Sequence, residues 1–354
     1  MSHPLIIAAG CRNEGSGSLA GVSAAEEALV RQGCRLSHLH IAPLSHAWDA
    51  PLPRGCFRSG CAPLEALDAA RKILASGEAD AVVVQGKDLL RSEYAQDRDL
   101  RDRRMAVFGT EHPLTEAYTG LARAFCRRIG LDDGAFRDLA ELLFENHCRV
   151  WEENGNRLEV RPGWFEPVTD LFRRVDCANP VVDFEGAAVV TTASVAAACA
   201  VPARQRIPLL AVALARTNGD GPQHVEEIAA YRHLAGAYRE ACRLAGVDFG
   251  ARYLAGEALL EVYTCYPVVP LAFLLASGIA RDPEELPALL ARYPVTVTGG
   301  MNLARAAWNN PSLLGLSALW ERLSSGAVPL AALHGNGGLG QRQGVAILGG
   351  PAGG

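Results

Sequence analysis

The sequence predicts an α/β protein in which a strand buried on both faces follows a helix of small and apolar residues. Leu64 and Leu74 belong to an apolar series at helical spacing, and Pro63 suits the first turn of that helix. The run 81–84 is wholly apolar and closes at Gly86, which is typical of a strand covered on both faces. With 354 residues, 49% of them hydrophobic, the chain can bury one large core or two fused ones.

Other elements follow from the same periodicities. We predict strands over 5–9 and 34–41 and helices over 18–32, 112–130, 132–151 and 224–245. The last helix ends at Gly246, a residue that suits a helix C-cap. The charged segment 88–104 is typical of a solvated surface with ion pairs. His46 could line a pocket, although a lone loop histidine is more often solvated.

Charge and hydropathy argue against two classes of partner. The net charge is −5 and no block is rich in lysine or arginine, so nothing favours nucleic acid. The apolar stretch 187–201 contains threonine and serine and is flanked by turns, so we expect no membrane span. The N-terminus enters an apolar strand without a basic flank, from which we expect a cytoplasmic protein.

The cysteines predict packing rather than metal binding. There are ten, and the one close pair, Cys56 and Cys61, does not have metal-ligand spacing. In a chain of this size, most cysteines are small buried core residues. We therefore predict no metal site.

The turn 59–63 and the segment that follows it carry a family resemblance. Thiolases and related condensing enzymes place a cysteine turn, a small-residue helix, and then a Gly-x-x-Asp motif before an apolar strand. Gly77-Glu78-Ala79-Asp80 and the run 81–84 are similar to that pattern. Counting back from Gly77 by the family spacing places Gly60 at the nucleophile, with Cys61 one residue later.

Three further segments resemble thiolases, and they occur in the same order along the chain as in that family. The segment 185–188, Glu-Gly-Ala-Ala, resembles the start of the C-terminal half of thiolases. The segment 258–267 resembles sterol-carrier-protein-type thiolases and, more closely, a non-classical branch. The segment 334–348 resembles the closing glycine-rich turn and strand.

Because the resemblance covers nearly the whole chain, the protein is identified as thiolase-like with a degenerate active site. The resemblance implies a duplicated α/β/α/β/α arrangement in five layers with a helical loop domain. The N-terminal half would span 1–178, including the loop domain at about 111–178, and the C-terminal half would span 179–354. The two central helices would lie at 58–75 and 310–323.

At the catalytic positions the chain departs from active thiolases. Tyr263 occupies the slot of a catalytic histidine, as in the non-classical branch. The segment 305–307, Arg-Ala-Ala, replaces the Gly-His-Pro whose histidine activates the nucleophile, while Asn309 and Asn310 match an Asn-Asn pair of the non-classical branch. Gly338 falls where active thiolases have a second cysteine that shuttles the proton.

We expect Cys61, Tyr263 and Asn310 to be the catalytic residues. Cys61 precedes a helix N-terminus, whose dipole lowers a thiol pKa, and would be the nucleophile. Tyr263 could donate to an oxyanion but is a poor base at its ordinary pKa of about 10. Asn310 could orient a carbonyl. The expected substrate-binding residues are His147, Gly300, Met301, Asn309 and Gly340.

Three functions stay open at this point. The first is an acyl-CoA C-acyltransferase, catalysing Claisen condensation or thiolytic cleavage through Cys61. The second is a retro-aldol lyase that acts on an acyl-CoA with tyrosine instead of cysteine. The third is a non-catalytic subunit of a complex. A coenzyme A thioester, or an acyl group on a carrier protein, would be the substrate, with no further cofactor. The resemblance also implies a homodimer, and a zinc-ribbon/OB-fold protein as a possible partner.

Overall fold

A computed structural model describes residues 3–43, 50–178 and 181–351; His46 lies outside them. The strands are β1 Leu5–Asn13, β2 Ser16–Ser18, β3 Leu36–Ile41, β4 Cys56–Phe57, β5 Ala81–Leu89, β6 Asp183–Thr191, β7 Ile207–Arg216, β8 Leu259–Glu261, β9 Leu330–Gly337 and β10 Arg342–Gly349. The helices are α1 Ala20–Arg31, α2 Ala62–Ser76, α3 Leu90–Gln96, α4 Leu100–Met105, α5 Leu114–Ile129, α6 Asp133–Glu153, α7 Ala193–Ala198, α8 Val225–Ile228, α9 Arg232–Ala245, α10 Phe249–Leu254, α11 Val268–Ala276, α12 Leu286–Arg292, α13 Met301–Ala304 and α14 Pro311–Ser324.

The ten strands of the described ranges are hydrogen-bonded in one continuous order, which a short contact between β1 and β7 divides into two sheets. The first sheet has the order β4-β3-β5-β6-β1, and β2 pairs with β1. The second has the order β7-β10-β9-β8. The two sheets join where Leu5 and Ile6 of β1 pair with Pro208 and Ile207 of β7. Both sheets mix parallel and antiparallel neighbours. In the first sheet β3 is parallel to β5 and β5 is antiparallel to β6. In the second sheet β8 is parallel to β9 and β9 is antiparallel to β10.

Helices cover both faces of each sheet and complete five layers. Between the sheets lie α2 and α14, whose leucines share one apolar core with residues of both sheets. Helix α1 packs on the outer face of the first sheet in a second core. Helices α9 and α11 pack on the outer face of the second sheet, and α5 and α6 join that third core. The predicted α/β/α/β/α arrangement is confirmed.

One predicted helix differs in the structure, while the division into halves at 178/179 stays a prediction. Strand β6 pairs with both β5 and β1 in the first sheet. The predicted helix over 224–245 is broken, because Tyr231 has a left-handed backbone (φ 46°) between α8 and α9.

The two central helices bring their N-termini to one place. Helix α2 starts after Cys61 with Pro63 in its first turn and stops at Gly77, which has a left-handed backbone. Helix α14 starts at Pro311 after Asn310. The Ser312 hydroxyl donates to the backbone oxygens of Gly60, at 3.3 Å, and of His334, at 3.1 Å. These bonds hold the turn before α2, the start of α14 and strand β9 together.

Residues 3–43, 50–178 and 181–351 contain neither a candidate membrane span nor a metal-binding cluster. No helix there is both long and apolar enough to cross a membrane. No cluster of three or more histidine, cysteine, aspartate or glutamate side chains there is arranged to hold a metal ion.

Candidate functional site

A small cavity lies beside the N-termini of the two central helices. It measures about 30 Å³, and one water needs about 10–15 Å³. The cavity therefore holds a water or two, and a larger ligand needs it to open. The lining residues are Gly60, Leu114, Tyr118, Ala178, Tyr263, Cys265, Tyr266, Met301, Trp308, Asn336 and Gly338.

Tyr263 fills the position that a side chain at residue 60 would take. A Cβ built on Gly60 would lie 2.4 Å from the Tyr263 hydroxyl oxygen and 2.2 Å from the backbone oxygen of Asn336. The hydroxyl donates to the Trp308 backbone oxygen at 3.0 Å. Burial raises the pKa of Tyr263 well above its ordinary value, so the phenol keeps its proton and can act as a hydrogen-bond donor.

Cys61 belongs to the core rather than to the cavity wall. Its side chain is 1% exposed and lies in the apolar cluster between the sheets. Its Sγ lies 2.8 Å from the position of a Cβ built on Gly344 of β10. Burial raises the pKa of the thiol far above its ordinary value, and Glu65 raises it further. The lowered pKa expected from the helix N-terminus is therefore wrong, because burial disfavours the thiolate and the opposing charge of Arg342 has the smaller effect.

Tyr118 and Cys265, which sequence reasoning missed, meet at the cavity. Cys265 Sγ lies 3.4 Å from the Tyr118 hydroxyl, which in turn donates to the Gly338 backbone oxygen at 3.1 Å. Tyr118 stacks on Tyr266 with ring centres 3.9 Å apart. Burial raises the pKa of Cys265 to about 12, so it is a thiol rather than a thiolate at neutral pH.

A chain of amide hydrogen bonds supports these groups. Asn336 Nδ2 donates to the Tyr118 hydroxyl at 3.3 Å, and Gln343 Nε2 donates to Asn336 Oδ1 at 2.7 Å. His334 Nε2 bonds to Gln343 Oε1 at 2.7 Å, while its Nδ1 accepts the Tyr263 N–H. Burial lowers the pKa of His334 to about 4, so the ring is neutral with both nitrogens engaged.

Glu261 lines a second, smaller space that Tyr263 also lines. Its carboxylate accepts the N–H groups of Val297 and Thr298 and the Thr298 hydroxyl, at 2.7, 3.1 and 2.7 Å. Burial raises its pKa to about 7. Since both oxygens are engaged with the segment before α13, Glu261 fixes that segment in place.

Asn310 and Asn309 point to the first half of the chain. Asn310 Nδ2 donates to Asp88 Oδ2 at 2.8 Å, and its Oδ1 lies 1.9 Å from the position of a Cβ built on Gly86. Asn309 Nδ2 donates to the Ala42 backbone oxygen at 2.9 Å. Neither asparagine lines the cavity. The hydrogen bond from Asn310 to Asp88 instead connects the start of α14 with β5.

Of the four other expected binding residues, Met301 lines both spaces and Gly300 lines the smaller one. His147 packs against Gly300, and burial lowers its pKa to about 4. The Gly340 backbone oxygen lies 2.7 Å from His233 Nε2 and accepts Gln343 Nε2 at 2.9 Å, outside both linings.

The site offers neutral donors rather than a nucleophile. The phenols of Tyr118 and Tyr263 keep their protons, and Cys265 is a thiol. Such an arrangement can stabilise an oxyanion or enolate oxygen. Of the expected catalytic residues, the structure places Tyr263 at the cavity, and Cys61 and Asn310 away from it.

No family model matches the chain, and no curated protein matches it. Solved structures do match it, among them the following three. An SCP2-thiolase like protein type 1 from Mycobacterium smegmatis, described as monomeric, is 20% identical with a TM-score of 0.70 and covers 99% of this chain and 78% of that one. An Ltp2-ChsH2(DUF35) aldolase is 15% identical with a TM-score of 0.63, over 99% and 98%. The Acat5 thiolase from Ascaris suum, in complex with coenzyme A, is 14% identical with a TM-score of 0.59, over 99% and 100%. The chain therefore has a thiolase-like fold.

Proposed function

We propose that this thiolase-like chain is a carbon–carbon lyase of the retro-aldol kind that acts on a β-hydroxyacyl thioester of coenzyme A. One observation carries the proposal: the Tyr263 hydroxyl occupies the place of a side chain at residue 60, where the family resemblance puts the nucleophile. A protonated phenol there suits the stabilisation of a thioester enolate and does not suit acyl transfer to the enzyme.

The reaction needs no oxidant, reductant or covalent intermediate. The β-hydroxyl group loses its proton, the bond between the α- and β-carbons breaks, and the β-carbon leaves as an aldehyde or ketone. The electron pair enters the thioester enolate, whose oxygen would accept from Tyr263 and Tyr118 once each hydroxyl turns from its backbone acceptor, Trp308 or Gly338, to the substrate. Protonation of the α-carbon completes the shorter acyl thioester. The likeness to a structure whose name includes an aldolase supports this chemistry.

The acyltransferase predicted from Cys61 is the weaker candidate. Acyl transfer needs an accessible thiolate, whereas the Cys61 thiol lies in the core and burial raises its pKa. Cys265 lines the cavity, but its pKa of about 12 also opposes a thiolate. These two environments favour the lyase over the transferase.

The ligand must open the cavity, and a partner protein is one way to do this. A space of about 30 Å³ does not admit an acyl chain. One structure of similar fold is a complex with ChsH2(DUF35). We therefore include a small partner of the zinc-ribbon/OB-fold class in the proposal. A homodimer and a cytoplasmic location stay predictions.

The test incubates the purified chain, alone and with such a partner, with a panel of 3-hydroxyacyl-CoA thioesters. Mass spectrometry measures the carbonyl product and the shortened acyl-CoA. Tyr263→Phe should lower turnover about 10²-fold, the usual effect of removing one oxyanion donor. Cys61→Ser should retain turnover.

Tyr253→Phe is the matched control. Tyr253 is a buried tyrosine whose hydroxyl also donates to a backbone oxygen, that of Pro294 at 3.0 Å, and it does not line the cavity. It should lose stability without losing turnover. An acyl adduct on the wild-type protein that disappears in Cys61→Ser would refute the lyase and support the transferase. Absence of turnover with every thioester and partner would favour a non-catalytic subunit.

A further inference from the structure

A carboxyl group fills the position of a side chain at residue 338. Gly338 lines the cavity, and a Cβ built on it would lie 2.0 Å from Asp220 Oδ2 and 2.6 Å from Asp220 Cγ. The backbone at Gly338 is left-handed (φ 62°), which favours glycine. The carboxyl of Asp220 therefore takes the place of a side chain at residue 338, directly behind a glycine that lines the cavity, while Asp220 itself is not part of the lining.

The hydrogen bonds of Asp220 orient one oxygen and leave the other available. Oδ1 accepts the N–H groups of Leu339 and Gly221, both at 2.9 Å. Within the described ranges Oδ2 makes no hydrogen bond, and it faces the position of a residue-338 side chain. The Tyr118 hydroxyl donates to the backbone oxygen of that same Gly338. The Asp220 carboxyl and the Tyr118 phenol are thus both neighbours of Gly338.

The surroundings of Asp220 suit a base. Burial raises the pKa of its carboxyl above the ordinary value of 3.8, against the opposing effects of the Leu339 and Gly221 N–H groups. The charged groups that face it are Arg342 on β10 and His224 in the turn before α8, and both also lower the pKa. A carboxylate with a raised pKa holds a proton more readily than an exposed one and releases it again.

Two other buried titratable groups beside the cavity have no free acceptor. Both nitrogens of His334 are engaged, and its low pKa keeps it neutral. Both oxygens of Glu261 accept hydrogen bonds from the segment before α13. Asp220 Oδ2, in contrast to the acceptors of His334 and Glu261, accepts no hydrogen bond within the described ranges.

We propose that Asp220 is the general base of the lyase, and this rests on the proposed function. Asp220 Oδ2 takes the proton of the substrate β-hydroxyl through one water, because Asp220 itself does not line the cavity. The bond between the α- and β-carbons then breaks, and its electron pair forms the thioester enolate, whose oxygen the Tyr263 hydroxyl holds. The proton on Asp220 passes to the α-carbon, which restores the carboxylate. Atoms and charge balance without a further reactant.

The variant that tests this role is Asp220→Asn, because the amide oxygen can still accept from Leu339 and Gly221 while the amide nitrogen accepts no proton. Turnover should fall about 10²-fold or more with KM little changed, which is the usual size of a general-base effect. In the wild type kcat should fall as the pH drops through the raised pKa of Asp220, and this acidic limb should vanish in the variant. Asp220→Glu should recover part of the turnover.

The matched control is Asp248→Asn. Asp248 is an exposed aspartate whose Oδ1 caps α10 by accepting the Ala251 N–H at 3.0 Å, outside the cavity lining. It loses the same charge and keeps its backbone bond, so turnover and pH profile should match the wild type. Thermal unfolding of both variants should stay close to that of the wild type.

A second measurement separates this inference from the proposed function. In D₂O the same base should exchange the α-protons of a saturated acyl-CoA, a reaction that needs no carbon–carbon cleavage. Exchange without cleavage in the wild type, lost in Asp220→Asn, would refute the lyase and uphold the base. Cleavage by Asp220→Asn at the wild-type rate and pH profile would overturn the base and leave the lyase standing. A wild type that neither cleaves nor exchanges would overturn both.

Discussion

Substituting Gly60 by alanine tests the central observation directly. The new Cβ would lie 2.2 Å from the Asn336 backbone oxygen, 2.4 Å from the Tyr263 hydroxyl and 2.5 Å from Tyr263 Cζ. Non-bonded heavy atoms pack at about 3.5–4.0 Å, so the ring must move by about 1 Å. Overpacking of this kind costs about 1–3 kcal/mol of unfolding free energy. A 1 Å misplacement of a catalytic group can cost about 10²-fold in rate.

The assay measures unfolding in urea and turnover of the lyase substrate on the same preparations. Gly236→Ala is the matched control, because Gly236 lies inside α9 with no atom within 4 Å of its would-be Cβ. That variant should be more stable by about 0.5–1 kcal/mol, through the helix propensity of alanine, with unchanged turnover. Equal stability and turnover in Gly60→Ala and Gly236→Ala would refute the close approach of Tyr263 to residue 60.

Three further predictions concern buried groups. Cys61→Ala should lower the unfolding free energy in urea by about 1–2 kcal/mol, because it leaves a small void, and should retain turnover. A loss of turnover with intact folding would instead support Cys61 as the nucleophile. Glu261 holds its proton in the folded state up to a pH of about 7, against an ordinary pKa of 4.5. The stability of the wild type should therefore fall by roughly 3 kcal/mol as the pH rises between those values, and Glu261→Gln should flatten this slope in urea titrations; equal slopes would contradict it. Asn310→Asp places a second carboxylate beside Asp88 and should destabilise the fold by about 3 kcal/mol at pH 8 and less at pH 4, measured by urea unfolding; a pH-independent loss would point to packing instead of charge.

Local sequence patterns predicted the elements that position the site. The spacing of Leu64 and Leu74, with Pro63 before them and Gly77 after them, predicts a helix that the structure confirms as α2. These signals are local, since each depends on neighbours within one or two turns. The helix predicted over 224–245 was wrong at Tyr231, where tertiary packing imposes a left-handed residue that periodicity does not reveal.

The candidate site was only partly predictable. Tyr263 was found because its segment resembles a family motif, and the count that placed Gly60 at the nucleophile pointed to the position that its hydroxyl fills. Tyr118 carries no sequence signal, because on an amphipathic helix a buried tyrosine is read as core. Asp220 was missed for a related reason: an aspartate in a glycine-rich turn is typical of turn geometry.

The sequence by itself indicated several of the helices and strands, α2 and β5 among them. Its resemblance to thiolases, in motifs spread along the chain, indicated the layering. Only the tertiary structure decided which atoms occupy the places of side chains at residues 60 and 338, because those atoms come from segments far apart in the chain. It also decided the direction of the Cys61 pKa. A helix N-terminus is visible in a sequence, but the depth of burial, which raises the pKa of Cys61, depends on how two sheets close over one residue.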